Sequence, residues 1–247
     1  MTLAARLAPH LPARLVCAAT DVLYPLFEPE LRRLADFCPR GGTAVDIGGW
    51  YGPWTRRLAR RADRVLTVEP VPHLARRLRA ATPPNVEVLQ AAAAGHSGTA
   101  TLWLPSDGRG DRGVSSLVRR DIHTRALSVP CFPLDELALQ DVTLIKIDVD
   151  GGELGVLHGA EKTLRAFSPA LFIELELRIQ PPAPVLGFLH GLGYRGWVLP
   201  GDTWVPLDAF DLRSHQRERA HVADHGLLRR TVAPHRRYVN SVLFAPS

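Results

Sequence analysis

The chain has 247 residues, 46% hydrophobic and 22% charged, enough for one large α/β domain with a full core and an ordinary balance for a globular protein. Three cysteines (Cys17, Cys38, Cys131) are far apart and odd in number, which argues against a disulfide framework or a zinc knuckle and points to a reducing, cytoplasmic setting. The net charge is +5 and nearly all the positive charge is arginine, with Lys146 and Lys162 the only lysines; residues such as Arg56, Arg57, Arg60 and Arg61 are scattered along helical stretches, so no nucleic-acid partner is expected.

Pro9, Pro12, Arg14 and Asp21 interrupt any apolar run near the N-terminus, so neither a secretory signal nor a membrane span is expected. Residues 1–40 read as a helical lead-in, with an amphipathic helix over 28–37, and residues 41–247 as one domain. The apolar run 44–48 is then a strand ending in a Gly turn, with Pro53 opening a helix over 54–62. A buried strand over 64–68, a helix over 74–81 and a strand over 86–89 follow. This βαβαβ order predicts parallel strands with right-handed crossovers. Residues 105–127, with their Gly-rich charged stretch 106–113, read as a long polar loop. The alternation resumes with a strand over 142–148, a helix over 153–167 and a strand over 170–175. A helix over 185–192, a strand near Trp197 and a closing strand over 238–245, antiparallel to the rest, complete a doubly wound, mostly parallel α/β sheet.

Three constellations carry chemistry. Asp46-Ile47-Gly48-Gly49-Trp50-Tyr51-Gly52 follows a buried strand, where glycines allow a sharp turn and close approach of a ligand to the backbone. A dinucleotide-binding turn needs Gly-x-Gly-x-x-Gly, and Trp50 stands where its second glycine belongs. The pattern suits a ligand without a pyrophosphate, with Asp46 able to attract a cation. About twenty residues on, Glu69-Pro70 ends the second strand, where a carboxylate can accept hydrogen bonds from two ribose hydroxyls. The third run, Lys146-Ile147-Asp148-Val149-Asp150-Gly151-Gly152-Glu153, crowds three carboxylates at a strand end. Glu153 also suits a helix N-terminus. Glu174 and Glu176 end the next strand over the same edge. Like charges this close call for a cation, a shared proton or hydrogen bonds.

With Leu157-His158-Gly159-Ala160 following it, the Ile147–Glu153 run resembles the FkbM family of methyltransferases. The resemblance extends over about 44–175, including Val68-Glu69-Pro70 and Ser115-Ser116-Leu117, and again over 237–245. Asp150 stands where the family has Glu, and Trp50 and Tyr51 replace smaller residues in the glycine turn. The resemblance implies a Rossmann-like class I methyltransferase fold and transfer of a methyl group from S-adenosylmethionine to a hydroxyl of a small-molecule acceptor: a sugar, a lipid or a secondary metabolite. Donor-site candidates are Asp46, Gly48, Gly49, Gly52, Glu69 and Pro70, with Gln90 and Ala91 near the adenine. Asp148, Asp150 and Glu174 are the acceptor-side candidates for a base, and Asp148 and Glu174 also for ligands of Mg²⁺ or Mn²⁺.

The rival classes are a Rossmann-like oxidoreductase, which the missing glycine disfavours, and a noncatalytic S-adenosylmethionine-binding domain. His221 and His225, four apart on a helical stretch, have zinc-ligand spacing but lack a third ligand and read as solvated. Ser115 has no nucleophile elbow. The acceptor's identity and the oligomeric state are not written in the sequence.

Overall fold

The computed structural model describes residues 12–105, 113–220 and 237–247. An eight-stranded sheet forms the centre. Its parallel part is built from β1 (Thr43–Ile47), β2 (Arg64–Val68), β3 (Val86–Leu89), β7 (Val142–Ile147) and β8 (Ala170–Glu174) in the spatial order β3-β2-β1-β7-β8. β11 (Ser241–Pro246) inserts antiparallel between β8 and β9 (Tyr194–Val198), and β10 (Val205–Pro206) closes the edge. The expected doubly wound sheet with an antiparallel last strand is present.

Period-two alternation sends the strand side chains to two cores. Val45, Ile47, Leu66, Val68, Ile145, Ile147, Leu171 and Ile173 pack with Val156 and Leu157 of α4 (Glu153–His158), Leu164 of α5 (Glu161–Phe167) and Leu189 of α6 (Ala183–Gly191). Ala44, Val65, Leu144 and Phe172 face the other way, onto Leu31, Leu34 and Phe37 and onto Trp54 and Leu58 of α2 (Pro53–Leu58). A sheet covered on both faces is what lets its central strands read as continuous apolar runs. Each fully buried Leu or Ile adds roughly 1.5–3 kcal/mol. α1 (Ala13–Leu23) packs on α2 and on α3 (Pro72–Ala81).

Four expectations are corrected. Residues 105–127 are not one loop: β5 (Gly98–Pro105) pairs antiparallel with β6 (His123–Phe132), which with β4 (Ala92–Ala93) makes a second, three-stranded sheet. The Gly-rich charged stretch lies between the two paired strands, whose apolar residues alternate with polar ones. The helix over 153–167 is two helices, Glu153–His158 and Glu161–Phe167, with Ala160 between them at φ −114°, outside the helical range; at the junction a Cβ on Gly159 would stand 2.1 Å from the Ala94 carbonyl oxygen. The amphipathic helix over 28–37 is a 3₁₀ helix, Pro29–Asp36. The helix after Pro53 ends at Leu58, before Ala62. Trp54, Leu58 and Ala62 are still buried in one cluster, so the shortening leaves the packing face intact.

Candidate functional site

In a doubly wound sheet the ligand crevice opens at the carboxyl edge where the strand order reverses. Here that point lies at β1, between β2 and β7. Ile47, Val68, Leu89, Ile147 and Ile173 are register neighbours near the ends of successive strands. The residues that follow them therefore meet at one edge. Asp46, the glycine turn, Glu69, Gln90, Ala91, Asp148, Asp150 and Glu174 are all brought there, although up to about 130 residues separate them in the chain.

The glycine turn needs its glycines. Gly48 has φ +84° and Gly52 φ +79°, a region costly for other residues. A Cβ on Gly48 would stand 2.0 Å from the Asp148 carbonyl oxygen, so β1 and β7 could not run this close beyond their paired residues. Gly49 is equally confined, its added Cβ meeting Thr67 at 2.3 Å. Trp50 is also left-handed, at φ +48°. Its amide donates to Glu69 Oε2 at 2.8 Å, and the amide of Val71, beyond Pro70, donates to Glu69 Oε1 at 2.8 Å. Glu69 thus pins the turn from the tip of β2. Burial pushes its carboxyl up to about 7, with the two amides pulling the other way.

Two charged side chains occupy the central strands. Asp46 and Lys146 are register partners across β1 and β7, and both are buried. Lys146 Nζ donates to the Gly48 carbonyl at 2.9 Å and to Asp148 Oδ2 at 3.2 Å, and stands 3.6 Å from Asp46 Oδ1. The Thr55 hydroxyl donates to Asp46 Oδ2 at 2.5 Å, while Asp46 Oδ1 has no hydrogen bond. Burial pulls the Lys146 ammonium down, but the carboxylates of Asp148 and Asp46 outweigh it and hold the ammonium above its ordinary value.

The acceptor-side carboxylates have different partners. Asp150 is left-handed at φ +54°, a conformation a short Asp tolerates better than the Glu of the related pattern. Its Oδ2 is 3.4 Å from Arg120, and its carbonyl accepts from the Ser116 hydroxyl at 2.7 Å, which gives the Ser115-Ser116-Leu117 motif a structural role. Burial, reinforced by Asp148, pushes the Asp150 carboxyl up to about 8. Glu174 accepts a hydrogen bond from Asn240, and burial together with the charges of Asp148 and Asp150 raises it well above the usual carboxylate range. Glu153 turns back onto the Gly151 amide, at 3.0 Å, and pairs with Gln180. Glu176 lies apart from the cluster's cation, held by Tyr238 and Arg178.

Two contributors were not anticipated. Glu28 accepts from the Trp54 indole at 2.5 Å, and burial pushes it up to about 7 although Lys146 pulls it down. Tyr24 is hydrogen-bonded to Glu28, and burial with the charges of Glu28, Asp148 and Glu174 raises its hydroxyl well above normal. Neither residue belongs to a motif, and no spacing could have placed them at an edge built from residues 46–174. Asn240 was legible only as part of the closing strand. Among the described residues no group of three or more His, Cys, Asp or Glu side chains is arranged to hold a metal ion. Asp148, one of the two expected metal ligands, is ion-paired with Lys146. His221 and His225 lie outside the described residues.

The profile of the Methyltransferase FkbM domain matches residues 42–195. The chain belongs to that family. The match spans the glycine turn, Glu69 and the whole carboxylate run, and leaves Tyr24, Glu28 and Asn240 outside. The sheet is that of class I methyltransferases. Among solved structures, the methyltransferase FkbM from Methylobacillus flagellatus KT is similar at 18% identity and TM-score 0.43, covering 64% of this chain and 40% of that one. The present chain therefore spans less than half the length of that relative. The precorrin 8W decarboxylase of Methanobacterium thermoautotrophicum is similar at 13% identity and TM-score 0.45, covering 89% and 90% of the two chains. A SAM-dependent methyltransferase from Leishmania major is similar at 14% identity and TM-score 0.42, covering 82% and 78%. No curated protein matches the chain. No helix among the described residues is long and apolar enough to cross a membrane.

Proposed function

We propose that this chain is an O-methyltransferase that moves the methyl group of S-adenosylmethionine to a hydroxyl of a small molecule. The observation that carries the reading is the division of the carboxyl edge into two differently equipped halves. On the β1–β2 side, each oxygen of Glu69 accepts an amide hydrogen bond. An ionised carboxylate has capacity for about four, so two ribose hydroxyls can still be accepted. On the β7–β8 side stand Asp148, Asp150 and Glu174. Buried carboxylates in excess of the nearby cations also favour a positively charged donor.

The chemistry needs little covalent help from the protein. The acceptor oxygen attacks the methyl carbon in line, the carbon–sulfur bond breaks, and its electron pair stays on sulfur. The hydroxyl proton passes to a base. Alignment of the two substrates supplies most of the acceleration, and the base the rest. We assign the base to Glu174. Asp148 is ion-paired with Lys146 and Asp150 with Arg120, so each of these carboxylates already faces a cation of the protein. Glu174 instead receives a neutral hydrogen bond from Asn240, and its proton affinity stays high. A cationic donor beside it favours its ionised form.

The test is incubation of the purified chain with isotopically labelled S-adenosylmethionine and an extract of the producing cells, followed by mass spectrometry. A labelled small molecule is expected with the parent. Glu174→Gln is expected to abolish the label while donor binding, read by calorimetry, is retained. A fully active Glu174→Gln removes Glu174 from the role of base.

A further inference from the structure

The glycine turn carries two aromatic rings for which methyl transfer as described so far has no use. Trp50 sits midway between Gly48 and Gly52, its amide fixed on Glu69. Its ring is partly exposed, with its centroid 4.9 Å from buried Tyr51 and 5.7 Å from Tyr24. Tyr24 reaches the turn from the 3₁₀ segment Tyr24–Leu26. Its ring lies against Trp50, whereas its hydroxyl is bonded to Glu28 and feels the charges of Asp148 and Glu174. One side chain thus spans the donor turn and the acceptor carboxylates. In methyl transfer the donor sulfur must lie at that junction, because the reacting carbon and oxygen have to approach to about 3–3.5 Å.

Resting on the donor site proposed above, we infer that Trp50 and Tyr24 form an aromatic wall that binds the sulfonium cation and distinguishes S-adenosylmethionine from its neutral product, S-adenosylhomocysteine. The negative face of an aromatic ring attracts a cation, most strongly for indole and most effectively where water is excluded. Methyl transfer turns the sulfonium into an uncharged thioether, so the attraction ends when the reaction does. The wall therefore tightens on substrate and loosens on product. Glu28, hydrogen-bonded to the Tyr24 hydroxyl, and the charges of Asp148 and Glu174 that reach it add a field of the same sign. Simple apolar packing by the same rings treats substrate and product alike, and that difference is measurable without knowing the acceptor.

The experiment is calorimetric titration of the full chain with S-adenosylmethionine and with S-adenosylhomocysteine, for the parent and three variants. Trp50→Asn removes the indole with a residue that accepts left-handed geometry. Tyr24→Leu removes the second ring, and Tyr24→Phe keeps it without the hydroxyl. Trp50→Asn and Tyr24→Leu are expected to weaken substrate about fivefold more than product, a typical cation–π contribution, and Tyr24→Phe to leave the ratio unchanged. If Trp50→Asn does not fold by circular dichroism, the two Tyr24 variants decide. A folded Trp50→Asn or Tyr24→Leu that binds product and keeps the parent's substrate-to-product ratio, weakening both ligands equally or neither, overturns the inference. A parent that binds neither nucleoside overturns the donor-site reading as well.

Discussion

Asp46 and Lys146 face each other in register across the two central parallel strands, each the only charged residue in its strand. Buried charges survive only when paired and hydrogen-bonded, and Lys146 serves three oxygens at once. Removing it leaves Asp46 and Asp148 without their shared cation. Lys146→Met is expected to cost about 3–5 kcal/mol of stability, read by urea denaturation. The double variant Lys146→Met/Asp46→Asn should recover part of the loss, since it removes the more deeply buried of the stranded carboxylates. A double variant no more stable than the single one contradicts the pairing.

Glu69 joins the tip of β2 to the glycine turn, so its loss acts on the ligand and on the turn. Glu69→Ala is expected to weaken S-adenosylmethionine binding by roughly 1–3 kcal/mol, the worth of hydrogen bonds to a charged group. Calorimetry that finds unchanged affinity removes Glu69 from the ribose. Glu69→Gln keeps one acceptor oxygen and should fall between parent and Glu69→Ala.

Glu28 supplies a pH dependence with a definite sign. Its carboxyl rises from 4.5 to about 7 on folding, through burial, with Lys146 opposing and Glu30 and Asp148 reinforcing. The folded chain then holds more protons than the unfolded one across that window. Stability from this group is fully present below 4.5 and is lost as pH rises through about 7. Glu28→Gln stays neutral, so the stability of the variant relative to the parent should grow between those limits, by at most on the order of 1 kcal/mol per pH unit. Denaturation series at several pH values give the slope, and parallel curves for the two proteins count against it.

Gly48 tests the close approach of the two central loops. Gly48→Ala must push the Asp148 backbone away as well as strain a left-handed residue, and about 2 kcal/mol or more of stability should be lost. S-adenosylmethionine affinity should fall with it, because the displaced turn carries the Trp50 amide. A melting temperature equal to the parent's argues against the contact.

Divalent cations provide a separate check. With Asp148 already ion-paired to Lys146, neither Mg²⁺ nor Mn²⁺ should bind at the carboxyl edge, and the melting temperature should not change on adding either ion or on chelation. A saturable rise in melting temperature that Asp148→Asn abolishes restores the metal role.

The sequence by itself determined the alternation of strands and helices, the position of the glycine turn and the residues at each strand tip. Those signals are local: Gly48 and Gly52 are demanded by backbone angles, and Glu69 and Asp148 each stand directly after a short strand of mostly apolar residues. The tertiary structure decided which carboxylates share a cation, because Asp46 and Lys146 are a hundred residues apart and meet only through the register of β1 on β7. It decided that Tyr24 and Glu28 reach the same edge, since the lead-in carries no motif and is positioned by its packing on α2 and the sheet. It also decided that β5 and β6 pair antiparallel, a pairing between strands well separated in the chain. Periodicity reports which face of an element is buried. Only packing reports which other element buries it, and the shared environment of Lys146, Asp148 and Glu174 depends on the second of these.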